Sequence, residues 1–258
     1  MYIVDGQIHI WAASTPERPW PARHAPHRPV PYSKDNLLHD MNTAGVNRAV
    51  LVPPSWEGDR NDLVIEAARN HPDRLAAMGR FNPEAPGAAE LLPKWKEQPG
   101  MLGLRFTFQR PGLAAPLVED RFEWVWTAFE EYRLPVMVMV SQSQTRLVDR
   151  IAERHPGLTL VMDHMSLASG KKDEEAFVDF GNLLALAKRP NIAVKASGLP
   201  CYTNDTYPYR KLHPKLRQVY DAFGPQRIFW GTDLTHLPCT YKQAITMFTE
   251  EIPWLTDE

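Results

Sequence analysis

The stretch Val4-Asp5-Gly6-Gln7-Ile8-His9-Ile10-Trp11 decides how the rest of the chain is read. Alternation along a strand sends Asp5, Gln7 and His9 to one face and Val4, Ile8 and Ile10 to the other. This suits a barrel strand whose back packs against helices and whose front ends in a pocket. Gln7 stands where a metal hydrolase would want a second histidine. A neutral imidazole binds a divalent cation well, whereas a carboxamide offers only a weak carbonyl oxygen, so residue 7 bears on whether a metal is used.

Working outward from this strand, seven more short apolar runs follow: 48–53, 75–81, 103–108, 135–140, 158–162, 192–196 and 228–230. Between them the periodicity predicts helices over 34–44, 61–70, 88–97, 121–132, 144–155, 174–188 and 209–223, with Gly45 and Gly224 as stops. Strands alternating with helices over about 250 residues predict an α/β fold, a single (β/α)8 TIM barrel over residues 1–258. An open doubly wound sheet would carry a glycine-rich phosphate loop after its first strand, and none follows here. Six of the 24 prolines fall between Pro16 and Pro31. A loop of this length directly after the first strand is expected to act as a lid, spanning about 11–34.

Composition excludes several classes. The chain has 258 residues, 43% hydrophobic and 23% charged, with a net charge of −2, which implies neither a nucleic acid nor another polyanion as partner. With neither a secretion signal nor a membrane-spanning run in the sequence, the expectation is a cytoplasmic enzyme. Cys201 and Cys239 are read as two free thiols without a role. At the C-terminus, 254–258 reads as the start of a helix capped by Thr256 and Asp257, so the natural chain is expected to continue past Glu258.

In a barrel, polar residues at the C-terminal ends of the strands converge on one mouth. Strand by strand these are Asp5, Gln7 and His9; Arg80 and Asn82; Arg105; Ser141 and Gln142; Asp163 and His164; Lys195 and Ser197; and Thr232, Asp233 and His236. Imidazoles, a carboxylate and two guanidinium groups at one mouth make a site for hydrolysing something anionic. Trp11, Trp20, Trp56 and Tyr202 are candidates for an aromatic wall, and His24 and His27 lie in the lid, where solvent-facing positions are expected.

Asp5-x-Gln7-x-His9, Leu160-Val161-Met162-Asp163-His164, Val194-Lys195-Ala196-Ser197-Gly198 and Trp230-Gly231-Thr232-Asp233 resemble the amidohydrolase superfamily. Within it, the chain is similar to the branch with fuconolactonase-like and 2-pyrone-4,6-dicarboxylate lactonase-like enzymes. The resemblance covers nearly the whole chain and implies a distorted, amidohydrolase-like barrel. Gly103-Leu104-Arg105-Phe106-Thr107-Phe108 is similar to the segment whose arginine holds a substrate carboxylate, so Arg105 inherits that role. Arg80, Lys195, Tyr202 and His236 join it as candidate substrate-binding residues. Arg105 also has a bland alternative as a structural salt bridge to Asp5 or Glu84, and Lys195 as support for the barrel interior.

The departures from the superfamily pattern matter equally. Its first motif is usually His-x-His, and strand five of its binuclear members supplies a lysine; here these positions read Gln7 and Met137-Val138-Met139-Val140. Lactonases of the resembled branch are understood to work without a metal, and on that reading no cofactor is favoured. The alternative is a single zinc or manganese ion held by His9, His164 and Asp233. The leading expectation is hydrolysis of a lactone or ester of a small anionic molecule, with Asp233 as general base and His9, His164 and the Gln7 amide polarising the carbonyl. Rival readings are a mononuclear metal-dependent amide hydrolase, an aromatic-acid decarboxylase (disfavoured by the missing strand-five histidine), and a catalytically silent binding barrel. A serine or thiol esterase lacks its Gly-x-Ser-x-Gly elbow. A homodimer is left open.

Overall fold

The computed structural model describes residues 1–21, 28, 30–109 and 114–255. Eight parallel strands pair in sequence order: β1 (Val4–Ile8), β2 (Arg48–Leu51), β3 (Leu75–Gly79), β4 (Met101–Thr107), β5 (Val136–Met139), β6 (Leu160–Met162), β7 (Ile192–Ser197) and β8 (Ile228–Gly231). The helices wrapping them are α1 (Lys34–Ala44), α2 (Asp62–Asn70), α3 (Ala88–Leu91), α4 (Ala115–Val118), α5 (Glu123–Glu131), α6 (Thr145–Arg154), α7 (Asp173–Ala176), α8 (Phe180–Leu184), α9 (His213–Phe223) and α10 (Tyr241–Thr249). This is the (β/α)8 barrel that the alternation of runs predicts.

Alternation along the strands divides the core in two. Outward residues such as Ile8, Leu51, Leu104, Val138, Leu160 and Val194 pack with Leu37, Met41, Phe129, Ile151 and Val219 of the helices in one continuous cluster. Inward, Val52, Met78, Met137, Val161 and Ala193 form a separate plug inside the barrel. Burying these side chains contributes about 25 cal/mol per Å² of apolar surface.

Where helices depart from the predicted spans, the reason is local. The 88–97 helix tightens to a 3-10 form over Leu92–Glu97, where Pro93 cannot donate the next α-helical hydrogen bond. The 174–188 helix breaks into α7 and α8, which lets both Phe177 and Phe180 bury, their rings edge-on at 5.3 Å. Among the described residues the last helix is α10, started by a capping box of Thr240 and Gln243, while Trp254 sits in a turn with its ring 5.3 Å from that of Tyr220. Thr256, Asp257 and the lid residues His24 and His27 lie outside the described residues.

The base of the predicted lid is pinned. Trp11 and Tyr32 exchange backbone hydrogen bonds at 2.9 and 3.1 Å. Arg18 bonds the buried Glu57 and also Asp62, and the rings of Trp11, Trp20, Tyr32 and Trp56 form one chain of contacts. No helix among the described residues is long and apolar enough to cross a membrane.

The seam between β8 and β1 closes around Asp5. Its Oδ1 accepts from the backbone of Gln7 and Thr232 at 3.0 and 2.9 Å, and its Oδ2 from the hydroxyls of Thr232 and Tyr241. Asp5 is therefore spent on the seam instead of the mouth. The backbones approach closely there: a Cβ on Gly6 would lie 2.8 Å from the Trp230 carbonyl oxygen. Burial pushes the Asp5 carboxyl from 3.8 up to about 6, against the pull of its four donors. A raised carboxyl favours the folded state when protonated, so this contribution is full below pH 3.8 and is lost as pH rises through about 6. Asp5→Asn removes the dependence: its stability relative to the wild type should rise by up to about 3 kcal/mol between about pH 4 and about pH 7. Urea unfolding at both pH values checks this, and an unchanged difference would contradict it.

Candidate active site

His9 follows β1 and is 6% exposed. Its Nδ1 lies 2.6 Å from the Val52 carbonyl oxygen, which can only accept, so Nδ1 carries the hydrogen and Nε2 faces inward. Asp233 Oδ1 lies 3.2 Å from that Nε2. His164 follows β6, and its Nδ1 is 3.2 Å from the Ser197 carbonyl oxygen and 2.9 Å from the Ser197 hydroxyl. It too therefore keeps Nδ1–H and presents a lone pair at Nε2 when neutral. Burial lowers the His164 imidazole below its usual value, against the pull of Asp233 and Asp163, which favours the neutral ring.

Both of these strand ends are strained. His164, Met165 and Ser166 have φ of 51, 52 and 55°, and Asp233 has φ of 50°. Left-handed backbone at such residues costs of order 1–3 kcal/mol each and persists only where the surroundings impose it. At Asp233 the turn is held by its N–H donating to the Gln7 carbonyl (2.9 Å) and its own carbonyl accepting from His236 N (2.8 Å). Gly198 lies between the two strained sites: a Cβ there would meet Asp233 Cβ at 3.3 Å and His164 Nδ1 at 3.6 Å.

These side chains open on a cavity of about 740 Å³ whose walls include His9, Arg105, His164, Tyr202, Asp233 and His236, with Trp56 at its side. Gln7, Arg80 and Lys195, expected at the same mouth, do not line it. Gln7 and Lys195 are 0% and 1% exposed and lie beneath the floor, the ammonium bonded to the Gln7 carboxamide oxygen and 2.8 Å from Asp163 Oδ1. Arg80 is turned to the Pro53 carbonyl (2.9 Å) and the Thr107 hydroxyl (3.0 Å).

Arg105 does reach the cavity, but partly committed. Its Nε donates to Asp163 Oδ2 at 2.9 Å and its Nη1 to Thr107, while Nη2 meets the Met139 sulfur at 3.0 Å, a weak acceptor. The structural salt bridge is thus to Asp163, not Asp5 or Glu84, and the side fork of the guanidinium is taken. Asp163 is the group whose role the sequence reading missed. The signal was there: two cations on inward strand positions, Arg105 and Lys195, require a buried counter-charge.

Burial alone would raise the Asp163 carboxyl, but Lys195 and Arg105 outweigh it and hold it well below the usual carboxylate range. Burial likewise opposes ionisation of Asp233, and the His9 hydrogen bond with the fields of His9, His236 and His164 overcomes it. Both are carboxylates at neutral pH. Burial pushes the Cys201 thiol up to about 12, so it is not a nucleophile. Burial also raises the Tyr202 hydroxyl and lowers the His236 imidazole.

Among the described residues, the group whose ligand atoms converge within 4.8 Å of one another is His9, Asp233 and His236, not His9, His164 and Asp233. Two imidazoles and a carboxylate suit one zinc-like cation, and with Nδ1–H committed to Val52, Nε2 is the atom that a neutral His9 would offer as a ligand.

A sequence model of the amidohydrolase family matches residues 4–251. The chain belongs to this family. It is 26% identical over 200 residues to 4-sulfomuconolactone hydrolase of Hydrogenophaga intermedia, a match covering 76% of this chain but 63% of that enzyme. To L-fucono-1,5-lactonase of Burkholderia multivorans it is 25% identical over 242 residues, covering 89% of this chain and 81% of the relative. An amidohydrolase of Burkholderia multivorans with bound zinc superimposes with a TM-score of 0.79 at 21% identity, covering 96% of this chain and 90% of the other. A 2,6-dihydroxybenzoate decarboxylase from Rhizobium superimposes at 0.66 and 15% identity, covering 99% and 94%, so the fold alone does not decide the reaction.

Asp163→Asn would leave Arg105 and Lys195 buried without their counter-charge. The expected cost is about 3–5 kcal/mol of folding stability, read from urea midpoints. An unchanged midpoint would mean that the cluster does not hold the barrel floor.

Proposed function

We propose that this chain is a hydrolase that opens a lactone, or cleaves a comparable activated ester, of a small molecule bearing an anionic group. The observation that carries the reading is the placement of an ionised carboxylate, Asp233, against His9 in a cavity that also holds the half-committed Arg105. The two curated relatives, both named as enzymes acting on lactones, support the same class.

Asp233 takes a proton from water as its oxygen attacks the carbonyl carbon, and the carbonyl electron pair moves onto oxygen. As the intermediate collapses, the ring C–O bond breaks and Asp233 returns the proton to the departing alkoxide, giving a hydroxy acid. His9 and His164 border the carbonyl oxygen. With each Nδ1 already committed as N–H, Nε2 is the atom that each presents to it. The Gln7 amide is screened from the substrate and acts on His9, with its Nε2 3.4 Å from His9 Nε2. The Arg105 guanidinium attracts the substrate anion through Nη1 and Nη2, since Nε is bound to Asp163.

Water is a weak acid, so its deprotonation by Asp233 is helped by any group that makes it more acidic. A divalent cation held by His9 and Asp233 would supply that acidity and polarise the carbonyl as a Lewis acid.

Asp233→Asn should lower kcat by about 10²–10⁴ on any lactone that the wild type opens, with the fold unchanged by circular dichroism. A variant with full activity would remove the carboxylate from the mechanism. Lactones carrying a carboxylate or sulfonate should exceed neutral analogues by at least about tenfold in kcat/KM, the worth of one modest charge-assisted contact. Equal values would remove Arg105 from recognition.

A further inference from the structure

The geometry points to His236, in the loop after β8, as the third ligand of a divalent cation bound by His9 and Asp233, in place of the ligand that β1 lacks at Gln7. This rests on the proposed function only in sharing its cavity. Three observations converge on it.

First, Gln7 is turned away from ligation. Its oxygen, the only atom of a carboxamide that binds a hard cation well, accepts from the Lys195 ammonium, and its NH2 group is the end that faces His9. Lys195 is in turn fixed 2.8 Å from Asp163 inside the barrel, so the carboxamide has no low-cost way to flip. A flip would set NH2 against an ammonium and strip a buried cation of an acceptor.

Second, the ligand atoms of His9, Asp233 and His236 lie within 4.8 Å of one another, whereas His164 joins no such group among the described residues. An ion at about 2.0–2.2 Å from each of three ligands requires mutual separations below about 4.4 Å, so the group needs only a small contraction.

Third, the backbone delivers His236 to that place. Asp233 in the left-handed region starts a turn closed by His236 N donating to the Asp233 carbonyl at 2.8 Å, which returns residue 236 over the residue it would share the ion with. The two imidazoles then meet edge-on, ring centroids 6.3 Å apart, with the carboxylate at 3.2 Å from one of them. The ligand set is one histidine from β1 and an Asp-x-x-His pair from the β8 turn.

The test is cobalt(II) binding to the full chain after chelator dialysis, followed by the visible d–d bands and by titration against a chromophoric chelator. The wild type should bind one equivalent with bands of a low-coordinate N/O site. His236→Ala should weaken binding at least about tenfold and shift the bands, since even partners of ligands are worth that much. His236→Asp should recover part of the loss by restoring an oxygen ligand. His164→Gln should bind as the wild type does. Wild-type affinity and spectrum in His236→Ala would overturn the inference, as would loss of binding in His164→Gln alone, or no cobalt binding by the wild type. The readout is independent of turnover. Cobalt binding with the expected ligand pattern but no lactone opened would sink the proposed function and leave the ligand assignment standing, and the reverse outcome would do the opposite.

Discussion

The rest of the site hangs on the buried pairing of Asp163 with Arg105 and Lys195. Inside a barrel, neither cation can be left without a counter-charge, and the Asp163 carboxylate answers both, Oδ2 facing Arg105 and Oδ1 facing Lys195. That arrangement fixes Lys195 under Gln7, and the ammonium then chooses which end of the Gln7 carboxamide faces His9. It also takes the Nε edge of Arg105, leaving the Nη edge for the cavity. One ionic cluster thus sets the polarity of both Gln7 and Arg105.

Above this layer, order is imposed through backbone strain. Three consecutive left-handed residues after β6 and one after β8 carry His164 and Asp233 into the mouth, and the seam at Asp5 holds the β8 end that makes the second of these turns. The same seam supplies the Gln7 carbonyl that anchors Asp233 N. Asp5 and Gln7 therefore act on the chemistry from behind, as positioning residues for Asp233 and His9, while the polar face of β1 reaches the cavity only through His9.

Much of this was legible in the chain. The strands lie within a few residues of the apolar runs because period-2 alternation and burial are properties of consecutive residues. His9, His164, Asp233, Tyr202 and His236 line the cavity because strand ends in a barrel must meet. The helices were read less well where a proline or a pair of phenylalanines interrupted the pattern, and α10 was passed over although Thr240 and Gln243 spell its capping box. Gln7, Arg80 and Lys195 were placed at the mouth because inward-facing was equated with cavity-lining. The difference between them is depth along the strand, which depends on how neighbouring strands are staggered and not on any one strand's own pattern.

The sequence by itself determined the barrel and the reactive residue types, since these follow from alternation, spacing and the chemistry of side chains, and its motifs carried the resemblance to the family whose model matches it. Only the tertiary structure decided which inward polar residues reach the cavity and which end of Gln7 faces His9. It alone placed His236 rather than His164 beside His9 and Asp233. These outcomes are set by contacts between distant strands, where an unpaired buried charge is too costly to leave and each group's orientation is chosen by its partner's.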